Sequence, residues 1–282
     1  MNYLIIATIC FSFSFGLIKG QLTGIPSDLV AGLRLFLAGL IFLPFFGEIN
    51  LKTHLKAAFI GIIQFGLMYI FFIKAFQYLQ GSEVVLLTTS TPALVAICSV
   101  VLGQKFRWYY FAFVFLAILG AVIVVWDSTN LNFLIKGIIL MEASNFCFAL
   151  GQVLWKKYIG VSDAKLMSSA YLIPAFLILF FILINKGFFV ESLTSSQWAS
   201  ILYLGFIPTG VGFWLWNRGA KIVNPTILSI MNNLKIPIGV LFALFIFHET
   251  INIKNFFIGS FLILISIILT NMFVKDSDKI QV

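Results

Sequence analysis

Residues 166–184 read LMSSAYLIPAFLILFFILI, a run of 19 residues without a single charge. A helix that crosses the hydrocarbon core of a bilayer needs roughly 20 mostly apolar residues. Because backbone N–H and C=O groups find no water in lipid, such a run folds as a helix, which pairs those groups internally. This stretch therefore predicts a membrane-spanning helix.

Nine further runs of the same kind lie on either side of it, and only short connections rich in turn residues separate them. Hydrophobic residues make up 61% of the 282, and charged residues only 10%, where a soluble domain carries about 25%. We therefore expect an all-α, polytopic membrane bundle without a separate soluble domain. The ten predicted spans are Tyr3–Leu22, Leu29–Phe46, Leu55–Tyr78, Glu83–Leu102, Trp108–Trp126, Phe133–Trp155, Leu166–Ile184, Trp198–Asn217, Thr226–Phe247 and Asn255–Phe273.

The net charge of +8 is spread over the connections and does not form one basic patch. Membrane topology explains this distribution better than nucleic-acid binding, so no nucleic-acid partner is predicted. If the N-terminus is cytoplasmic, eleven Lys and Arg residues fall on the cytoplasmic side and five on the other. This bias predicts an integral protein of a bacterial cytoplasmic (inner) membrane, with both termini in the cytoplasm.

The two halves of the chain match each other at fixed offsets. A shift of 145 residues places Ala75 on Ala220 and Pro92 on Pro237, and a shift of 135 aligns the N-terminal parts of the halves. Five helices in each half is an odd number, so the second half enters the membrane in the opposite orientation, as in many secondary transporters. Chance similarity between apolar runs is the alternative interpretation.

Several motifs carry a resemblance to a known family. Arg34 opens the second helix in LRLFLAGLIFLPF, residues 74–97 read KAFQYLQGSEVVLLTTSTPALVAI, and His248-Glu249 is followed ten residues later by Gly259. Over its whole length the chain resembles EamA-type transporters of the drug/metabolite transporter superfamily. The resemblance implies ten helices around a central cavity, alternating access, and a first EamA-like half at 1–130. It places the second half at 131–275 and a cytoplasmic tail at 276–282.

Members of that family move amino acids, amines, organic acids and xenobiotics, and many are exporters. The resemblance therefore implies a secondary transporter, an exporter or exchanger, for an amino acid or another carboxylate-bearing solute. The alternatives are an exporter of hydrophobic or cationic drugs and amines, a membrane scaffold, or an embedded enzyme. One departure is Gln104, where relatives have an acid, and it weakens any role for a symmetric pair of acids.

Lys235 is the strongest candidate for substrate binding. It lies in the middle of the ninth span, after Asn232 and Asn233 and two residues before Pro237. A charge at a helix centre costs about 2.5–3.5 kcal/mol on insertion scales, so such residues face a bundle interior or a cavity. Pro237 frees the carbonyl of Asn233, and Pro92 takes the equivalent position in the fourth span, so both predict helix kinks. A lysine that snorkels or pairs structurally is the alternative.

Three further polar residues could complete a site for a carboxylate. Arg34 lies inside the second span and could grip a carboxylate in a bidentate manner, although a helix-end contact is an equal alternative. Glu142 and Asn145 share a region of the sixth span. Glu142 could pair with Lys235 or Arg34, carry a proton, or bind a substrate amine.

Weaker candidates for the site are Gln64, Tyr69 and Trp214. Gln64, Met68 and Tyr69 could share one face of the third helix, and Trp214 aligns with Tyr69 under the shift of 145. Ordinary packing is the alternative, because aromatic residues are abundant in this chain.

The sequence shows no motif for metal binding, ATP-driven transport or enzymatic catalysis. His54 and His248 have no companions at metal-ligand spacing, so neither a metal nor a cofactor is predicted. No phosphate-binding Gly-Lys-Ser/Thr loop and no nucleophile with a base appears, so ATP-driven transport and enzymatic activity are not expected. The predicted partners are a small-molecule substrate, the lipid bilayer, and a coupling proton or counter-substrate. The oligomeric state stays open.

Overall fold

The computed structural model describes residues 2–47, 49–103, 131–159, 163–186, 193–223, 225–248 and 252–278, together with 112, 115–116, 119–120 and 123. The predicted fifth span, Trp108–Trp126, therefore lies largely outside the described residues, as do Gln104 and Glu249. Within the described residues, helices occupy the other nine predicted spans, and seven spans are long and apolar enough to cross a membrane.

All regular structure in the described part of the chain is helical. The α-helices are α1 (Asn2–Gln21), α2 (Ser27–Phe42), α3 (Leu51–Gly61), α4 (Met68–Ala75), α5 (Gly81–Leu87), α6 (Thr91–Val101), α7 (Leu131–Tyr158), α8 (Asp163–Lys186), α9 (Ser195–Leu204), α10 (Phe213–Ile222), α11 (Pro225–Phe245) and α12 (Ile253–Asp278). Two 3₁₀ turns, Leu43–Phe45 and Thr88–Ser90, and two π-helical segments, Ile62–Leu67 and Gly205–Gly212, join some of them.

Three spans are broken near their middle. The first π-segment (Ile62–Leu67) separates α3 from α4, and the second (Gly205–Gly212) separates α9 from α10. Pro208 lies inside the second and has no N–H, so one backbone hydrogen bond of the helix is missing there. The hydroxyl of Thr209 also bonds to the backbone at this break, where it donates to Leu204 O at 2.6 Å.

The break between α5 and α6 lies directly before Pro92. The hydroxyls of Thr88 and Thr89 donate to the carbonyls three residues earlier, at 2.6 and 2.8 Å. These side-chain bonds compete with the regular helical ladder and favour a tighter turn. Pro237 lies within α11, which is helical without interruption from Pro225 to Phe245.

The helices pack around one interior. The most extensive packing joins α2 with α8, α1 with α11, α3 with α8, and α7 with both α4 and α6. On α2, Gly32 and Gly39 let Leu179 and Leu172 of α8 approach the backbone, a common device for joining membrane helices. On α8, Phe181 is 65% exposed, as expected for a side chain that faces lipid. This arrangement leaves a cavity between the two halves of the chain.

Candidate functional site

The central cavity has an empty volume of about 600 Å³ and lies among helices of both halves. Its lining comes from α1, α2, α4, α6, α7, α10 and α11, the Thr88–Ser90 turn and the second π-segment. The lining residues are Phe11, Ser14, Phe15, Arg34, Met68, Tyr69, Phe72, Thr88, Thr91, Met141, Ser144, Asn145, Phe148, Pro208, Phe213, Trp216, Asn232 and Lys235.

Arg34 reaches this cavity from α2 and is 1% exposed. Its Nε donates to Thr209 Oγ1 at 3.2 Å, and its Nη2 donates to Tyr69 Oη at 3.1 Å. The guanidinium carbon also lies 4.3 Å from the centre of the Tyr69 ring. Among the described residues, the Arg34 Nη1 atom is buried and has no hydrogen-bond partner.

The hydroxyl of Thr209 fixes the direction of the hydrogen bonds around Arg34. A hydroxyl donates one hydrogen and accepts two, and Thr209 donates its hydrogen to Leu204 O. It therefore accepts from Arg34 Nε and from Tyr69 Oη, which lies 2.9 Å away. Two neutral hydroxyls thus hold one edge of the guanidinium, and its positive charge stays uncompensated.

Lys235 enters the same cavity from α11 and is 9% exposed. Its Nζ donates to Asn232 Oδ1 at 2.9 Å, and its backbone carbonyl accepts from Ser12 Oγ at 3.1 Å. The side-chain nitrogen of Asn232 is buried and has no partner among the described residues. Lys235 and Asn232 therefore present donors to the cavity, while the side chains of Asn233 and Pro237 lie outside the described residues.

The charge of the cavity wall is entirely positive. Arg34 and Lys235 are the charged residues among the described lining residues, and neither forms an ion pair with an acid in the described part of the chain. Placing unpaired cations in a medium of low dielectric is unfavourable, and an anion bound between them offsets that cost. The arrangement is therefore chemically suited to an anionic group.

Aromatic rings form much of the remaining wall. Phe213 at the start of α10 has Phe11 at 4.8 Å and Phe148 at 5.7 Å between ring centres. Trp216 lies 6.0 Å from Phe11 and also lines the cavity. Rings at these spacings offer faces and edges against which a flat apolar ligand can pack.

Glu142 is not among the cavity-lining residues, although Asn145 is. Glu142 Oε2 accepts from Ser90 Oγ at 2.7 Å, and it forms no ion pair with Lys235 or Arg34. The amide of Asn145 donates to Leu87 O at 2.9 Å and to Ser90 Oγ at 3.0 Å. Glu142 and Asn145 therefore lie close together, and both contact Ser90 of the Thr88–Ser90 turn.

Gln64 and Trp214 also lie away from the cavity wall. Gln64 sits in the first π-segment, packs over Gly151 and donates to Asn217 Oδ1 at 3.3 Å. Met68 and Tyr69, which follow this segment, line the cavity, and Gln64 does not. The ring of Trp214 lies 6.1 Å from Phe42 and 5.6 Å from the Arg218 guanidinium, so no pair with Tyr69 forms.

Thr209 is the main residue that the sequence analysis misses. A signal for it exists, because GFIPTG places Pro208 between two glycines in the middle of a span. Gly and Pro that interrupt a hydrophobic segment are a pointer to transporter sites. No comparable sequence feature marks the aromatic residues around Phe213, because 33 Phe residues are spread along the chain.

The pattern of a known transporter family covers both halves of this chain. The profile described as EamA-like transporter family matches residues 1–126 and again residues 135–272. The chain belongs to the EamA-like transporter family. The predicted resemblance is thereby confirmed, and the EamA protein is a membrane transporter and not an enzyme.

Several named relatives match a large part of this chain. A biotin transporter of Salmonella typhimurium (strain LT2) is 34% identical over 95% of this chain and 91% of its own. A biotin transporter of Escherichia coli (strain K12) is 34% identical with the same coverage. A more distant relative, a "Probable amino-acid metabolite efflux pump" of Escherichia coli (strain K12), is 24% identical over 75% of each chain.

One crystal structure superposes on 96% of this chain and 98% of its own, with a TM-score of 0.70 and 16% identity. At that identity the likeness shows the fold alone. The EamA protein therefore has the helical architecture of a solved protein over nearly its entire length.

Proposed function

We propose that this protein is a secondary transporter of biotin or a closely similar carboxylate. The observation that carries the proposal is the cavity wall, in which Arg34 and Lys235 are two cations without an acid among the described lining residues. The 34% identity to biotin transporters supports this substrate. The sequence-based expectation of a carboxylate-bearing solute agrees with it, and biotin replaces the amino acid as the favoured example.

The chemistry of biotin fits the lining. Its carboxylate pairs with Lys235 Nζ and Arg34 Nη1, and its apolar chain and rings pack on the aromatic wall. Its ureido group has two N–H donors and one carbonyl. Asn145 Oδ1 can accept from a ureido N–H, because its one contact in the described part of the chain is a long one of 3.4 Å from Thr91. Asn232 Nδ2 can donate to the ureido carbonyl.

The proposed mechanism is alternating access between two inverted five-helix halves, residues 1–130 and 131–275, followed by a tail at 276–282. Two features support the repeat. The shift of 145 residues that aligns Pro92 with Pro237 carries the first π-segment onto residues 207–212, inside the second. The packing supports the repeat as well. When the two halves are exchanged, the contact between α1 and α11 corresponds to the contact between α7 and α6.

A counterflow assay tests the proposed function directly. Proteoliposomes that contain the purified protein and a high concentration of unlabelled biotin are expected to accumulate labelled biotin transiently and with saturation. Biotin methyl ester, which lacks the negative charge, is expected to compete at least about tenfold more weakly, because a hydrogen bond to a charged group contributes about 1.5–3 kcal/mol. Protein-free liposomes are the control, and the absence of biotin exchange would refute the proposal.

Amino-acid metabolite efflux is the second candidate, favoured by the 24% identity to the efflux pump. A zwitterion needs an acid for its amine, and Glu142 is hydrogen-bonded to Ser90 outside the cavity lining. An exporter of cationic drugs meets the same objection more strongly. Labelled amino acids in the same counterflow assay separate these candidates from biotin.

The proposed topology places both termini in the cytoplasm of a bacterial inner membrane. The bias of eleven to five basic residues supports this orientation. We expect reporter fusions after Asp127 and after Val282 to lie on opposite sides, periplasmic and cytoplasmic respectively. Alkaline phosphatase activity and green fluorescence of the two fusions measure this, and a shared location would contradict the topology.

A further inference from the structure

Glu142 is isolated from positive charge inside the membrane. It is the one acidic residue of the ten in the sequence that lies in the middle of a predicted span. Its polar neighbours are neutral: Ser90 Oγ donates to it at 2.7 Å, and Asn145 Nδ2 lies 3.4 Å away. No ion pair joins it to Lys or Arg within the described parts of the chain. An ionised carboxylate in this position is unfavourable, and a bound proton removes its charge.

The surroundings of Glu142 suit a proton better than a metal cation. Ser90 points its hydroxyl hydrogen at the carboxylate and the Asn145 amide nitrogen lies 3.4 Å from it, whereas a metal ion requires several oxygen lone pairs. Among the described residues, no group of three His, Cys, Asp or Glu side chains could hold a metal ion.

Glu142 is linked to the substrate cavity by one side chain. The amide nitrogen of Asn145 lies 3.4 Å from the carboxylate, and the same Asn145 lines the cavity. Thr91, which also lines the cavity, approaches Asn145 Oδ1 at 3.4 Å. The negative charge of a bound substrate and the charge of Glu142 therefore interact across Asn145 and Thr91, in surroundings of low dielectric.

We infer that Glu142 carries a proton that crosses the membrane together with the carboxylate substrate. This inference rests on the proposed function. An anion in the cavity and an ionised Glu142 repel each other, so the anion and the proton favour each other's binding, and this coupling is reciprocal. One proton binds the carboxylate oxygen on the outer side and leaves on the inner side with the anion. The pair is neutral, so an inside-negative potential does not oppose its entry.

Other groups on the packed elements do not replace Glu142 in this role. Tyrosine and cysteine are ordinarily neutral near pH 7, and the remaining charged groups on neighbouring helices lie at helix ends. Lys235 and Arg34 line the cavity and serve the substrate. The titratable or charged residues on the elements that pack with or face α7 are Lys52, His54, Lys56, Tyr69, Lys74, Glu83, Cys98, Arg218 and Lys221, with Arg34 and Lys235 across the cavity. On α7 itself they are Lys136, Cys147, Lys156, Lys157 and Tyr158.

The test compares the wild type, Glu142→Gln and the control Asp28→Asn, which removes an acid in the first turn of α2. In proteoliposomes an inside-alkaline pH gradient is expected to drive biotin accumulation by the wild type and the control. Glu142→Gln is expected to lose accumulation but still exchange biotin at equal pH, because the amide cannot release a proton. A sodium gradient at equal pH is expected to drive none of the three.

A second measurement does not depend on the substrate. Infrared difference spectra between acidic and alkaline pH are expected to show the C=O band of a protonated carboxyl group, absent in Glu142→Gln. The inference is overturned if the band or the pH-driven accumulation persists in Glu142→Gln, if sodium drives accumulation, or if exchange at equal pH is lost as well. If the wild type does not exchange biotin, the proposed function fails, and the infrared comparison still decides whether Glu142 is the proton site.

Discussion

Replacing Lys235 by Met is expected to raise the half-saturating biotin concentration by about 10- to 100-fold or to abolish counterflow. Met keeps the length and the apolar stem of the side chain but removes the ammonium group. The change removes a charge-assisted hydrogen bond to the substrate carboxylate, which contributes about 1.5–3 kcal/mol. Folding is expected to remain intact, because the variant no longer buries an unpaired cation.

Counterflow and thermal unfolding in detergent measure the two parts of this prediction. Lys254→Met is the matched control, because Lys254 is exposed on α12 and does not line the cavity. Its half-saturating concentration is expected to match the wild type. Unchanged biotin transport by Lys235→Met would contradict the role of Lys235 in carboxylate binding.

Exchanging Arg34 for Lys is expected to reduce biotin counterflow by about 10- to 100-fold even though the charge is kept. Only the planar guanidinium can donate to Thr209 Oγ1 and Tyr69 Oη together and still direct Nη1 to the substrate. Losing these buried bonds costs about 1–3 kcal/mol for each group left unsatisfied. The melting temperature of Arg34→Lys is therefore expected to fall as well.

Arg218→Lys provides the comparison for that variant. The Arg218 guanidinium also lies against aromatic rings, 5.4 Å from Tyr3 and 5.6 Å from Trp214, but it is exposed and outside the cavity. Its substitution is expected to leave counterflow near the wild-type value. Equal transport by Arg34→Lys and the wild type would show that a point charge suffices at position 34.

The proposed site combines residues that the sequence could predict with residues that it could not. Lys235, Arg34 and Asn145 are recognisable because charged and amide groups are rare within apolar runs. Tyr69 is a weaker candidate from the sequence, and it also lines the cavity. Thr209 holds Arg34 from a distance of 175 residues along the chain, and no local pattern announces such a contact.

The two π-segments limit prediction in a second way. Helical periodicity assumes about 3.6 residues per turn. Where the bonding becomes i to i+5, that spacing no longer holds, and residues on either side of the segment turn to different faces. Gln64 lies within the first segment and bonds to Asn217, whereas Met68 and Tyr69 follow the segment and line the cavity.

The sequence by itself determined the class of fold, the approximate limits of the spans and the inventory of charges inside the membrane. It could do so because lipid requires long apolar helices and makes each interior charge conspicuous. Only the tertiary structure decided that Arg34 and Lys235 line one cavity while Glu142 lies behind Asn145 against Ser90. Periodicity relates side chains within one helix, whereas the contacts between helices depend on packing and on breaks at Pro92 and Pro208.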